Sequence, residues 1–444
     1  MARRFLISGL LTVAAFAQIH AAAAQSTSPP FPHLGAYLIG GTIDFVDLPH
    51  IANLQAAVFS NYPGYNAGGK TLQQKIAAIK ALNPNIKITG IRNTMELATG
   101  GGAYAAEWNA DVANNWFLRT TWPNGSIVIS GYGVNSVNIT TPTLNNSNQT
   151  YRQWNAAWST SASYPFATNL DGIYFDNFNS QAPVNGDYLQ NGTTQTASAS
   201  SQLWRNAYVD EATQFRTAMG PGYMMWGNLA TWGGGSIQGY NQVLNGGVME
   251  SAIGQSYSYE TRSWSTLMTN YATIMHNLAP FNGEGPYPIF QQDGSITDYQ
   301  GMRYGLTSCL LDNGYYHFNT AGQGGGNNVA WFDELGFNLG QAVAGPNNPN
   351  NGTYSSGGLT VWQNGVYRRD FQNGISLVNP KGNGVQTVTL ETAYKHLSGT
   401  QVPSINNGES VTSVTLNDRD GVILQRLTSQ PAPPVPDPPS LTVQ

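Results

Sequence analysis

Between residues 33 and 325, short apolar runs alternate with longer stretches in which apolar residues recur every three or four positions. Eight runs read as strands: HLGAYLIG (33–40), LQAAVFS (54–60), IKITGIR (86–92), DGIYFDN (171–177), GYMMWGN (222–228), GGVMESA (246–252), YPIFQQD (287–293) and GYYHFN (314–319). Between them, KTLQQKIAAIKALNP places Leu72, Ile76, Ile79 and Leu82 on one helical face. SSQLWRNAYVDEATQFRTAMGPG does the same with Leu203, Tyr208, Ala212, Phe215 and Met219 before Gly220 and Pro221. In TRSWSTLMTNYATIMHNLAP the face is Trp264, Leu267, Met268, Tyr271, Ile274, Met275 and Leu278, closed by Pro280. Eight strands with helical connections predict an α/β fold, a (β/α)8 TIM barrel.

Residues 93–160 are richer in Asn, Thr and Trp than one helix needs and read as a loop insertion over the barrel mouth. Past residue 345 the texture changes: a linker, AGPNNPNNGTYSSGG, leads into strand-like runs broken by N-G and K-G turns. The expected division is a catalytic barrel over 25–345, a small antiparallel β-sandwich over 346–427 and a disordered Pro-rich tail over 428–444. Residues 1–24 carry Arg3 and Arg4, an apolar run from Phe5 to Ile19 and small residues Ala21–Ala24. That is the layout of a secretory signal peptide, the run being short for a membrane span. A secreted, monomeric protein is expected, extracellular or periplasmic.

Charged residues make up only 10% of the chain, against roughly 25% on average, and Gly is abundant. A net charge of −5 gives no basic footprint, so neither nucleic acid nor membrane is an expected partner. A neutral polar partner, an oligo- or polysaccharide, fits better. Cys309, the single cysteine, lies in an apolar helical stretch and reads as a buried small residue rather than a nucleophile. His33, His50, His276, His317 and His396 lack metal-ligand spacing, no G-x-S-x-G elbow occurs, and GQGGGNN (322–328) lacks the Lys of a phosphate loop. No metal or organic cofactor is expected.

Against that background, carboxylates at strand ends stand out, because the carboxyl ends of barrel strands form the active face. In NLDGIYFDNF, alternation puts Gly172, Tyr174 and Asp176 on one face and Ile173 and Phe175 on the other. If Ile173 and Phe175 pack on helices, Asp176 points into the mouth. Asp171, at the opposite end, reads as a turn or cap residue. The same test selects Glu250, which shares a face with Val248. Two such carboxylates are the equipment of glycoside hydrolysis: one protonated to assist the leaving oxygen, the other ionised to attack or to activate water. Arg92, Asn93, Tyr174, Asn177, Trp226, Asn228, Asp293 and His317 lie at or near strand ends and are candidate sugar contacts, through amides, carboxylates and aromatic faces. Asn319 is a further strand-end amide, and Trp122, Trp154 and Trp158 could extend an aromatic platform.

LDGIYFDNF, GGVMES, AWFDELGFNLGQAV and VYRRDFQNGISLVNP together resemble glycoside hydrolase families related to the α-amylase superfamily, in particular the hypothetical glycosyl hydrolase family 15-like group. The resemblance implies a catalytic TIM barrel with an appended β-sandwich and an acidic nucleophile or base after the fourth strand. That role falls on Asp176, and an acid from a later strand on Glu250. Asp333 and Glu334 in WFDELG belong to the pattern but read as domain-junction residues. Two other functions are compatible with the residues: a secreted carbohydrate-binding protein on a barrel without catalysis, and a polysaccharide lyase, which the scarcity of basic residues disfavours.

Overall fold

The computed structural model describes residues 29–39, 48–60, 70–161, 169–229, 239–280, 285–320, 329–343 and 359–428. The expected leader, the whole linker AGPNNPNNGTYSSGG, GQGGGNN and all but the first residue of the tail lie outside them. All eight expected strands form: β1 (Gly35–Leu38), β2 (Ala56–Phe59), β3 (Lys87–Arg92), β4 (Gly172–Phe175), β5 (Met224–Asn228), β6 (Gly246–Ile253), β7 (Tyr287–Asp293) and β8 (Tyr315–Asn319). They pair in sequence order, every pair parallel. A parallel bridge between Leu34 and Tyr316, with the Tyr316 amide donating to the His33 carbonyl at 2.9 Å, brings β8 back to β1. The result is a nearly closed TIM-like barrel.

Alternation along the strands sorts the core into two compartments. Tyr37, Ala56, Val58, Ile91, Tyr174, Met224, Trp226, Val248, Tyr287, Ile289 and Tyr315 fill the barrel interior. Ile88, Ile173, Phe175, Met225, Met249 and Phe290 face the helices instead. Packing inside is close: a Cβ on Gly246 would lie 2.5 Å from the Trp226 indole nitrogen.

The outer layer includes α1 (Leu72–Leu82), α2 (Ala105–Ala113), α3 (Tyr151–Ser159), α4 (Ala197–Met219), α5 (Trp264–Asn277) and α6 (Tyr299–Cys309). Helix α1 starts at a capping box, Thr71 with Gln74, and α4 starts at Thr196, earlier than the apolar periodicity indicates. The 93–160 insertion is more structured than a loop. Its last part is α3, capped by Thr150 and Gln153 and packed on α4. Its first part forms a short ribbon, Glu96–Leu97 paired with Asn135–Ser136, that returns to the carboxyl end of β3. At the opposite end of the barrel, Asp171 accepts from Lys80 at 2.6 Å and from the Ile88 amide at 2.8 Å, which ties β4 to its neighbour.

The C-terminal unit is a five-stranded antiparallel sheet of β9 (Tyr367–Asp370), β10 (Gly374–Asn379), β11 (Gln386–His396), β12 (Ser410–Leu416) and β13 (Asp420–Arg426), in the order β9-β10-β13-β11-β12. It has its own core around Ile375, Leu377, Val388, Tyr394 and Leu424. Helix α6 packs against β13 and β10. Between them Arg303 and Asp420 form a buried ion pair at 2.9 Å. The Arg369 guanidinium donates to the Leu310 carbonyl at 2.9 Å and to Asn313 Oδ1 at 2.7 Å. Asp333 and Glu334 serve this junction too: Asp333 accepts the amides of Thr400 and Gln401, and Glu334 accepts from Asn406 at 3.0 Å. Cys309 is buried at the end of α6 beside the Tyr271 hydroxyl, and burial pushes its thiol up to about 12. A chain ending near residue 345 would strand Arg303 and uncover α6. Such a truncation is expected to aggregate on size-exclusion chromatography; a soluble product with unchanged melting would show that the two units are independent.

Candidate active site

Asp176 follows β4 directly, on the inward face that Tyr174 shares. Asn177 adopts a left-handed conformation (φ 53°), which asparagine tolerates better than most residues. That turn aims its amide at Asp176 Oδ1, at 2.8 Å. On β5, two positions above the enclosed Trp226, Asn228 presents its amide nitrogen to two carboxylates: Glu250 Oε2 at 2.9 Å and Asp176 Oδ1 at 3.5 Å. The two acceptor oxygens therefore lie closer together than those contacts laid end to end. One strand-end amide thus joins the carboxylates of β4 and β6.

A third carboxylate completes the cluster. Glu96 Oε2 accepts from Asn93 at 2.9 Å and from Asn177 at 3.1 Å. Burial raises the Asp176 pKa, the amide of Asn177 and the side chain of Asn228 oppose it, and the charge of Glu96 adds to the rise. The Tyr174 and Tyr37 hydroxyls form a floor close enough to feel both Asp176 and Glu250, and burial first, then those charges, hold them un-ionised.

Next to the pair, β6 carries an irregularity between Met249 and Ile253, and Ser251 within it has φ 50°, a strained conformation for a residue other than glycine. The bulge brings the Ser251 hydroxyl to Asp293 Oδ2 at 2.6 Å, while Asn319 and Gln291 donate to Oδ1 at 2.6 Å and 3.2 Å. Asp293 is thereby held by three donors, beside the carboxylate pair and not bridged to it by Asn228.

The structure thus gathers Asp176, Asn177, Asn228, Glu250 and Asn93 at one point, with Asp293 and Asn319 adjacent. It does not bring Arg92 there. Arg92 lies on the outward face of β3 and pairs at 2.8 Å with both Glu107 and Asn155, its guanidinium over the rings of Tyr104 and Trp158. Tyr174 and Trp226 are fully enclosed in the barrel interior. His317 also points inward but is buried, and burial lowers its pKa to about 4, so it is neutral near pH 7. Trp154 and Trp158 stack on each other beside Trp116 in the outer layer, where Trp158 is buried. Glu96 was absent from the sequence-derived candidates. Its only signal is a carboxylate three residues after Asn93 in an otherwise neutral segment.

The Arg92 network makes a stability prediction. Burial pushes Glu211 up to about 7 from 4.5, against the lowering effects of Asn155, Thr94 and Arg92. A carboxyl whose folded pKa is raised favours the folded state fully below about pH 4.5, and that contribution is lost as pH rises through about 7. Glu211→Gln is expected to flatten the decline of Tm between about pH 5 and 8, measured by thermal melts across that range.

Among the described residues no group of three His, Cys, Asp or Glu side chains is placed to hold a metal ion, and no helix is long and apolar enough to cross a membrane. The sequence profile of the hypothetical glycosyl hydrolase family 15 matches residues 80–375. No curated protein matches the chain. Among solved structures, the cyclic alpha-maltosyl-(1→6)-maltose hydrolase from Arthrobacter globiformis, in complex with maltose, is similar at 11% identity and a TM-score of 0.42, over 86% of this chain and 89% of that one. The type III pullulan hydrolase from Thermococcus kodakarensis is similar at 12% identity and a TM-score of 0.45, over 87% and 72%.

Proposed function

Because the chain belongs to the hypothetical glycosyl hydrolase family 15, we propose that it is an exported glycoside hydrolase that cleaves a poly- or oligosaccharide with the carboxylates of Asp176 and Glu250. The observation that carries this reading is the Asn228 amide held between them. A donor shared by two carboxylates fixes their separation and their facing directions before substrate arrives. In the assignment, Asp176 is nucleophile or base, its oxygen oriented by the Asn177 amide, and Glu250 is the acid. Two oxygens on one amide lie toward the short end of the known separations, roughly 5–5.5 Å for retaining pairs against 6.5–9.5 Å for inverting ones. Retention of anomeric configuration is therefore the expected outcome, to be read by NMR of the first-formed product. Asn93 and Asn177 border the pair and are the side chains proposed to bond sugar hydroxyls, while Asp293, its oxygens engaged by Ser251, Asn319 and Gln291, stiffens the wall beside them.

The rise of the Asp176 pKa favours one variant of this reading, with the roles exchanged and Asp176 as proton donor. The two assignments differ in which substitution spares substrates with good leaving groups. Export is supported by the leader pattern and tested by comparing the mass of protein recovered outside the cytoplasm with that of the full chain. The hydrolase reading itself is tested by incubating the protein with a panel of polysaccharides and assaying new reducing ends. Binding without release from every bound glycan would leave a carbohydrate-binding protein.

A further inference from the structure

Among the described residues, every Phe, Tyr and Trp side chain is buried or half-buried except two: Tyr132, 76% exposed, and Tyr257, 54% exposed. Both belong to segments that meet the carboxylate cluster. Tyr132 sits at the tip of a tight turn, with its amide on Ser130 Oγ at 3.2 Å and the Ser130 amide on the Val134 carbonyl at 2.8 Å. The turn leads straight into Asn135–Ser136, which pair with Glu96–Leu97, so Tyr132 rides on the ribbon that delivers Glu96 to Asn177. Tyr257 lies in the loop after β6, and its hydroxyl reaches Ser251 Oγ at 3.3 Å, which in turn holds Asp293. Its ring is thus anchored at one end and open to solvent elsewhere.

We propose that the faces of Tyr132 and Tyr257 form an aromatic binding subsite at the barrel mouth that takes a pyranose ring carrying no negative charge. This deepens the hydrolase reading and rests on it for the role of the neighbouring carboxylates. A tyrosine face is apolar and matches the axial C–H face of a sugar, while its hydroxyl remains able to bond water or a sugar hydroxyl. Solvent exposure of two such rings costs hydrophobic free energy, which a stacked ligand would recover. Partial burial first, then the charges of Asp176, Glu96 and Glu250 and the neighbouring Tyr257, hold the Tyr132 hydroxyl above its ordinary pKa, which places that ring within electrostatic reach of the pair.

Charge decides the ligand class. Glu96, Asp176, Glu250 and Asp293 all converge on the mouth, whereas the loop sequences that follow β1, β4, β5, β7 and β8 contain no Lys or Arg. Of the basic residues in the remaining loops, Lys70 directly precedes the Thr71 cap of α1, Arg119 donates to the Gly125 carbonyl and Asn115, and Arg262 lies over the Tyr259 ring. A uronate or sulfated sugar would meet the like charge of these four carboxylates, a cost of the kind that excludes wrong ligands.

The test uses the full chain carrying Asp176→Asn, so that glycans are bound without turnover, in affinity electrophoresis against soluble starch, galactomannan and polygalacturonate. At least one of the two neutral glycans is expected to retard it. Tyr132→Ala and Tyr257→Ala should each weaken that retardation by about tenfold, the scale of a lost aromatic contact, and Tyr132→Phe should stay within about twofold. The subsite is overturned if the double alanine variant is retarded like its parent, if no neutral glycan retards the parent, or if polygalacturonate alone does. Loss of retardation in the tyrosine variants, in a protein whose Asp176 form releases no reducing ends from the same glycan, would keep the subsite and remove the hydrolase.

Discussion

Asp176→Asn is expected to lower kcat on the best substrate by on the order of 10^4-fold while leaving the melting temperature nearly unchanged. Asparagine keeps the shape, and its carbonyl can still accept the Asn177 amide that holds Asp176 Oδ1 at 2.8 Å, so the turn after β4 survives. What disappears is the negative charge that a nucleophile or base must carry. The pH profile gives a second reading of the same residue. Burial, with a further push from Glu96, raises the Asp176 pKa. The acid limb of kcat/KM should therefore fall above the ordinary carboxylate range, activity being lost as pH drops through it, and Asp176→Asn should remove that limb from whatever turnover remains. Near-normal turnover in the folded variant would refute the assignment.

Glu250→Gln is expected to separate substrates by their leaving groups. Glutamine can turn its carbonyl toward Asn228, so the 2.9 Å contact and the local fold are retained, but no proton can be delivered. Hydrolysis of an unactivated oligosaccharide should fall by about 10^2–10^4-fold, the usual scale of general acid catalysis. Activated aryl glycosides that the site accepts should lose far less, provided bond cleavage limits the rate, and the alkaline limb should flatten. Equal losses on both substrate types with the alkaline limb intact would take the acid role from Glu250. Asp176 would then inherit it, because both oxygens of Asp293 are already engaged by Ser251, Asn319 and Gln291.

The apolar runs announced all eight barrel strands because strands enclosed on both faces leave continuous hydrophobic stretches in the sequence. Strict alternation then carried the orientation of Asp176, Asn228 and Glu250, each two residues beyond an enclosed interior side chain. Applied to β3, the same rule turns Arg92 outward, since Ile91 faces the interior. The attraction of a cation at a strand end hid that signal. Tyr174 and Trp226 have the right parity but the wrong height: a rise of about 3.3 Å per residue sets them roughly 6.6 Å below the residues that reach the mouth. Glu96 and Tyr132 were not legible. They belong to a ribbon whose position depends on long-range pairing with residues some forty positions away, and no local periodicity encodes that.

The buried ion pairs bear on how the molecule behaves in solution. Among the described residues, fifteen Lys, Arg, Asp and Glu side chains are buried, including Arg92, Glu107, Arg303, Arg368, Arg369 and Asp420, in a chain only 10% charged to begin with. The charge density at the protein surface is correspondingly low, so Debye screening has little to act on. Colloidal stability then rests on hydration of amides and hydroxyls rather than on repulsion between particles. Moderate salt should leave solubility and electrophoretic mobility almost unchanged, while agents that compete for amide hydration should precipitate the protein early.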